Sequence, residues 1–105
     1  FPVWLAPVQV AVIPIGDRVL DYAREVVDRL RAAGLRAQAD DRSETMQAKI
    51  RDAQLQQIPY MAVVGGREAQ ARSVAVRHRR DGDQGVLGLD EFAAKVGGEA
   101  AARAA

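Results

Sequence analysis

The sequence predicts a three-layer α/β domain, in which helices cover both faces of a mixed β-sheet. Two short runs rich in Val and Ile, residues 8–15 and 58–65, have the near-continuous apolar character of parallel strands buried on both faces. Stretches with helical periodicity lie between them. After the second run, an alternating stretch and a Gly-containing turn predict an antiparallel hairpin. The resulting order, β-α-β-α-β-β-β-α, is typical of this class.

Length and composition limit the kinds of site that the chain can hold. With 105 residues, we expect a single domain over residues 1–105, cut from a longer protein, and no signal peptide at its beginning. The net charge of +1 means that a nucleic-acid site has to be a local patch. The absence of Cys and the single His exclude disulfides and Cys-based or multi-His metal sites. No apolar run approaches the ~20 residues of a membrane span.

The first third of the chain predicts a linker, a strand and a helix. Residues 1–7 are apolar and contain two prolines, which favours an extended leading linker with Trp4 as its anchor. Residues 8–15 follow as the first strand. Residues 18–33 place apolar side chains at helical spacing and charges on the other face, so they predict an amphipathic helix. Gly34 is expected to end it.

The next segment predicts an edge strand and a second helix. Residues 35–39 alternate, which is typical of a strand near the sheet edge. Ser43 is the expected N-cap of a helix over residues 44–56. The apolar stripe of that helix is predicted to consist of Met46, Ile50 and Ala53. The opposite polar ridge is predicted to consist of Ser43, Gln47, Arg51 and Gln54.

The last third begins after the central strand. Residues 66–72 predict a polar connection or a short helical turn. Residues 73–80 alternate as a strand, and residues 84–87 form the second arm of a hairpin. A final helix starting at Leu89 is expected to stop at Gly97-Gly98, with residues 97–105 as a frayed tail.

Three features suggest chemistry, and each has a structural explanation as well. Asp40-Asp41 follows a strand and could hold Mg²⁺, but helix capping explains it too. Gly65-Gly66 follows the central strand, where phosphate sites occur, although paired glycines also make tight turns. His78 has no Ser, Cys or paired acid at a useful spacing. Because no nucleophile–base pair is visible, we expect the chain itself not to be catalytic.

A local basic surface is the stronger indication of function. Arg77 and Arg79 share one face of their strand, and that face could carry arginines for solubility alone. The polar ridge of the second helix, however, combines a guanidinium with short donors and acceptors. Such a mixture is suited to reading base edges of an unstacked RNA loop while nearby arginines take phosphates. The further basic residues on or near this helix are Arg42, Lys49 and Arg51.

Several segments resemble one known family. They are WLAPVQV at 4–10, DDRSE at 40–44 leading into KIRDA at 49–53, IPYM at 58–61, VAVR at 74–77 and LDEF at 89–92. Together they resemble the anticodon-binding domain of bacterial threonyl-tRNA synthetases over nearly the whole chain. Prolyl, histidyl and glycyl synthetases share the fold and an IPY-type strand.

The resemblance implies a three-layer α/β/α anticodon-binding fold with a five-stranded mixed sheet and three helices. It implies that the domain binds the anticodon loop of threonine tRNAs in the cytoplasm and needs no cofactor itself. ATP, Mg²⁺ and Zn²⁺ would belong to a catalytic domain outside this chain, through which the threonine–tRNA ligase would form a homodimer.

The resemblance also implies particular contacts. Arg51 and Arg77 would bond base edges or stack on bases, and Glu68 would accept hydrogen bonds from guanine. Three positions depart from the family pattern, with Ser43 in place of Asn, Thr45 in place of Lys and Gln47 in place of Gly. The alternative is therefore a diverged domain with a regulatory or protein-interaction role and weakened tRNA binding. The predicted tRNA-binding residues are Ser43, Gln47, Arg51, Glu68, Arg77 and Arg79.

Overall fold

A five-stranded sheet and four α-helices make up the part of the chain that the computed structural model describes, residues 5–42 and 44–101. The strands are β1 (Val10–Pro14), β2 (Ala37–Ala39), β3 (Tyr60–Val64), β4 (Ser73–His78) and β5 (Gly82–Gly88). The helices are α1 (Leu20–Ala32), α2 (Met46–Leu55), α3 (Gly66–Ala71) and α4 (Leu89–Ala101), with a 3₁₀ turn at Asp17–Val19 before α1.

The sheet is mixed, as predicted, with the strand order β2-β1-β3-β4-β5. The strands β2, β1 and β3 are parallel, whereas β4 and β5 run antiparallel to their neighbours. Every residue of β1 and β3 is buried, in agreement with their continuous apolar sequences. The alternating β2 lies at an edge, also as predicted.

The larger core lies on the side of the sheet that α1 and α4 cover. Alternate residues of β1, β3 and β4 pack there against the apolar faces of these two helices. Val74 and Val76 of β4 belong to this core and have no exposed surface. The helical side chains of this core include Tyr22, Ala23, Val26, Val27, Leu30, Phe92, Ala93 and Val96.

The smaller core lies on the other side, under α2. It contains Ile13 and Met61 from the sheet and only two apolar residues of α2, Ile50 and Ala53. The predicted stripe was wrong at its first position, because Met46 is 37% exposed. Lys49 is buried in its place, with its ammonium group donating a hydrogen bond to the Asp40 carbonyl at 3.0 Å.

The N-cap of α2 is Thr45, whose hydroxyl accepts a hydrogen bond from the Ala48 N–H at 3.1 Å. The helix consequently begins at Met46, two residues later than predicted. The predicted cap Ser43 lies outside the described residues, as does the predicted anchor Trp4.

The last helix continues through Gly97 and Gly98 to Ala101, so the predicted stop at these glycines was wrong. Tertiary contacts outweigh the low helix propensity of glycine, about 1 kcal/mol per residue. The Tyr60 hydroxyl donates to the Glu99 carboxylate at 2.8 Å, and Ala100 packs on the larger core. These contacts hold the final turns of α4 against the sheet.

The connection after β3 forms a short helix, α3, one of the two possibilities that the sequence left open. It ends at Ala71, and its C-cap, Arg72, has a left-handed backbone with φ of 51°. Within residues 5–42 and 44–101, no helix combines the length and the apolar character needed to cross a membrane.

Candidate nucleic-acid interface

Arg77 lies on the α2 side of the sheet. It pairs with Met61 in the antiparallel β3–β4 ladder, and paired residues of such a ladder point to the same face. Met61 belongs to the smaller core, whereas the neighbours of Arg77 along the strand, Val76 and His78, point to the other face. The alternation predicted for residues 73–80 is confirmed at Arg77, which lies on the face opposite Val74 and Val76.

This face is covered over β1 and β3 and opens toward β5, with Ala75 of β4 at the margin of the smaller core. The α2 residues Ile50 and Ala53 pack on side chains of β1 and β3. Val86 of β5, which pairs with Ala75 of β4, keeps 64% of its surface exposed. Arg77 is therefore a partly exposed residue on an open strip of sheet beside α2.

The flank of α2 that faces this strip carries the predicted polar ridge. Gln47, Arg51 and Gln54 are all exposed and follow one another at helical spacing. The opposite flank, with Lys49 and Asp52, borders a cleft beside the edge strand β2. Because β4 lies on the other side of β3 from β2, the Arg51 flank is turned toward the open strands.

The two arginines share an electrostatic property as well as a face. In the part of the chain that the structure describes, no carboxylate lies within ion-pairing distance of the guanidinium of Arg51 or Arg77. The Nε–H of Arg77 is also buried with no hydrogen-bond acceptor among those residues. Leaving such a donor unsatisfied costs about 1–3 kcal/mol, so this one calls for an explanation.

Arg79 is tied to the connection between α2 and β3. Its guanidinium donates to the Gln57 carbonyl at 2.9 Å, and its backbone N–H donates to the Pro59 carbonyl at 3.0 Å. Gln57 has a positive φ of 59°, which turns this connection sharply. Arg79 is thus placed near the end of α2, with part of its hydrogen-bonding capacity already used.

Glu68 lies in the first turn of α3, at the carboxyl end of β3. Its carboxylate is next to Gly65, so a Cβ atom at that position would come within 4 Å of both carboxylate oxygens and of the tip of Ile15. Arg77 pairs with Met61, near the other end of the same strand. The structure therefore places Glu68 away from the point where the Arg77 backbone crosses the sheet.

Arg42 and Lys49 do not belong to the exposed basic surface that the sequence suggested. The Arg42 guanidinium donates to Asp40 through Nε and one terminal nitrogen, at 2.8 and 2.7 Å, and the same nitrogen donates to Asp52 at 2.8 Å. Lys49 is buried. The Arg42 bond is the main cause that holds the pKa of Asp40 below its ordinary value, although partial burial acts in the opposite direction.

This arrangement also accounts for Asp40 of the Asp40-Asp41 pair, whereas Asp41 is exposed. Both carboxylate oxygens of Asp40 accept hydrogen bonds from Arg42, and one of them also accepts from the Arg42 backbone N–H at 3.3 Å. Asp40 thereby shapes the connection between β2 and α2. Sequence inspection missed Asp52 as the second partner of Arg42, because the ion pair joins residues that are ten positions apart.

Known proteins share this fold. Residues 9–99 match the family model described as the anticodon binding domain, and the chain belongs to that family. The threonine–tRNA ligase of Syntrophomonas wolfei is 58% identical over 92 residues, which cover 88% of this chain and 14% of that enzyme. A threonine–tRNA ligase of Thermus thermophilus is 54% identical with the same coverage.

Solved structures agree with this assignment. The RNA-binding domain of threonyl-tRNA synthetase from Cryptosporidium parvum superposes with a TM-score of 0.88 at 33% identity, covering 94% of this chain and 25% of that one. Histidyl-tRNA synthetase from Nostoc shares the fold, with a TM-score of 0.81 at 24% identity over 86% of this chain and 22% of that one. Within its family, the chain is an anticodon-binding domain of the threonyl-tRNA synthetase type. It spans about one seventh of the length of the Syntrophomonas enzyme.

Proposed function

We propose that this domain recognises the anticodon loop of threonine tRNAs through the open strip of β4 and the adjoining flank of α2. The observation that carries the proposal is the placement of Arg51 and Arg77 on one face without acidic partners among the described residues. Cations that proteins keep for structure are usually paired. Unpaired guanidinium groups beside an open sheet are suited to phosphates and base edges.

The proposed roles follow from side-chain chemistry. The planar guanidinium groups of Arg51 and Arg77 donate bidentately to base edges or stack on splayed bases. Because the Nε–H of Arg77 is buried, that arginine reaches the bases through its terminal nitrogens. Glu68 accepts from the Watson–Crick N–H groups of a guanine. Gln47 and Ser43 supply short polar contacts along the ridge, and Arg79 adds positive charge near the end of α2.

The activity of the whole enzyme is part of the proposal. This chain binds and positions tRNA, while a catalytic domain outside it joins threonine to the tRNA with ATP, Mg²⁺ and Zn²⁺. That domain also forms the homodimer. The setting is the cytoplasm, where aminoacyl-tRNAs are used for translation. Support comes from the relatives, which carry the name threonine–tRNA ligase over a length about six times that of this chain.

One observation favours a second candidate, a diverged domain that binds tRNA weakly and serves regulation or a protein contact. The Thr45 hydroxyl is used as the N-cap of α2, so this position offers no long cationic side chain to RNA. Gln47 is exposed in the first turn of α2 and occupies space on the ridge itself.

A titration of the chain with two RNAs separates the candidates. The RNAs are the anticodon stem-loop of a threonine tRNA and the same stem-loop with the anticodon bases exchanged. We expect binding that weakens with salt and loses about 1–3 kcal/mol for each exchanged base that is read. Equal affinity for the two RNAs would contradict anticodon recognition and support the second candidate.

A further inference from the structure

The helix that carries Arg51 is held by little apolar packing. The only buried residues of α2 are Lys49, Ile50 and Ala53, so two apolar side chains attach it to the sheet. Five residues of α1, in contrast, are buried on the opposite face. Because apolar burial fixes a helix in proportion to the area removed from water, α2 depends on other contacts for its position.

Those contacts come from the connection between β2 and α2. The Asp40 N–H donates to the Val12 carbonyl at 2.9 Å, which fixes the start of the connection to the sheet. Arg42 then binds Asp40 with two hydrogen bonds and Asp52 with a third. Lys49 adds a bond from α2 to the Asp40 carbonyl. The guanidinium of Arg42 thus links the sheet edge to the middle of α2.

The charges of this group make Arg42 a poor phosphate ligand. One guanidinium faces two carboxylates at 2.7 and 2.8 Å, and these carboxylates repel an RNA backbone. Three of the five guanidinium N–H groups already donate to them. Asp52 directly follows Arg51 in the helix, so the turn that Arg42 holds is the turn that presents Arg51.

We propose that Arg42 is a positioning residue for RNA recognition, which sets the orientation of α2 through Asp40 and Asp52 and does not itself contact RNA. This proposal rests on the proposed function. It assigns a favourable role in RNA binding to Asp40 and Asp52. Electrostatics alone would predict that these two carboxylates weaken RNA binding. Neutralising either acidic residue should weaken RNA binding if it positions α2, and should strengthen RNA binding if only charge attraction matters.

The decisive variant is Asp52→Asn, which keeps the shape of the side chain and removes its negative charge. Asp41→Asn is the matched control, because Asp41 is an exposed neighbour of Asp40 outside the Arg42 contacts. Affinity of the 105-residue chain for the threonine anticodon stem-loop is measured by fluorescence anisotropy. We expect about tenfold weaker binding for Asp52→Asn, the scale for residues that orient a contacting group. Asp41→Asn is expected to bind equally or more tightly.

The ratio of affinities for the two stem-loops is a second readout, because a general loss of domain stability does not change it. For Asp52→Asn, the affinity ratio between the threonine stem-loop and the exchanged-anticodon stem-loop is expected to fall at a temperature where circular dichroism shows full folding. Tighter binding by Asp52→Asn, or an unchanged ratio, would overturn the proposal.

The variant Arg42→Ala tests the same role through salt dependence. We expect weaker binding with an unchanged slope of log affinity against log salt. A slope smaller by roughly 0.7–0.9 would indicate a lost phosphate contact and overturn the proposal. If Arg42→Ala does not fold, the Asp52→Asn result decides. Failure of the unaltered chain to distinguish the two RNAs would contradict the proposed function, whereas normal discrimination with unaffected variants contradicts only the positioning role.

Discussion

Arg77 faces Met61 across the β3–β4 ladder, and the two side chains mark the boundary between covered and open sheet. Met61 is fully buried, whereas Arg77, one strand further from the cleft side of α2, is partly exposed. The Arg77 side chain therefore starts at the edge of the smaller core and ends in a guanidinium group beside the open sheet. This boundary is where an RNA loop would meet both the helix and the strands.

The variant Arg77→Met is expected to weaken binding of the threonine anticodon stem-loop by about 1–3 kcal/mol. Methionine retains an apolar stem over the sheet and removes the buried, unsatisfied Nε–H. The free energy of unfolding should therefore stay the same or increase. Filter binding and urea denaturation measure the two quantities. Reduced stability with unchanged RNA affinity would show that Arg77 serves the fold instead.

The variant Arg51→Ala is expected to lower the RNA affinity by a similar amount, about 1–3 kcal/mol. Arg51 is exposed, so the unfolding free energy should hardly change. Arg24→Ala is the matched control, because Arg24 is an exposed arginine on α1, across the sheet. Equal losses for the two variants in filter binding would indicate unspecific attraction instead of a defined site.

The variant Glu68→Ala is expected to reduce the preference for guanine. A carboxylate that accepts two base N–H groups contributes about 1–3 kcal/mol of discrimination against another base. The measurement is the affinity ratio between the threonine anticodon stem-loop and a stem-loop with guanine changed to adenine. Glu91→Gln, an exposed change on α4, is the control. A ratio that Glu68→Ala leaves intact would remove Glu68 from the site.

The free energy of unfolding should depend on pH in the acidic range through the protonation of Asp40. Its pKa in the folded domain lies below the ordinary value of 3.8, chiefly because of the Arg42 hydrogen bonds. The ionised group therefore stabilises the fold above pH 3.8, and this contribution is lost as pH falls through the lower folded pKa. Urea denaturation across this range should show a smaller pH effect in Asp40→Asn than in the unaltered domain. Parallel pH profiles would contradict this.

The strands and the faces of the site could be predicted because both follow from short-range periodicity. Alternation placed Arg77 on the face of β4 opposite its strand neighbours, and a spacing of three to four residues placed Arg51 with Gln47. Both placements are found in the structure. Such patterns specify where a side chain points, whatever the distant partners are.

The partners of the charged residues could not be predicted in the same way. In the sequence, Arg42 is a further basic residue near α2, and only the approach of Asp40 and Asp52 removes it from the exposed basic surface. The start of α2 was misplaced for a related reason. Ser and Thr both cap helices well, and the hydrogen bond from the Glu44 N–H to the Arg42 carbonyl belongs to a turn that the local sequence does not reveal.

The mixed direction of the strands also affects which amino-acid substitutions such a domain can tolerate. The parallel strands β1 and β3 are enclosed by helices, so nearly any substitution there disturbs a core. On β5, side chains on one face are free of that constraint, as the exposed Val86 shows, whereas Ser73 and Ala75 of β4 still pack beneath it. New RNA preferences can therefore arise by substitution at alternate positions of β5, while the layers beneath keep their packing.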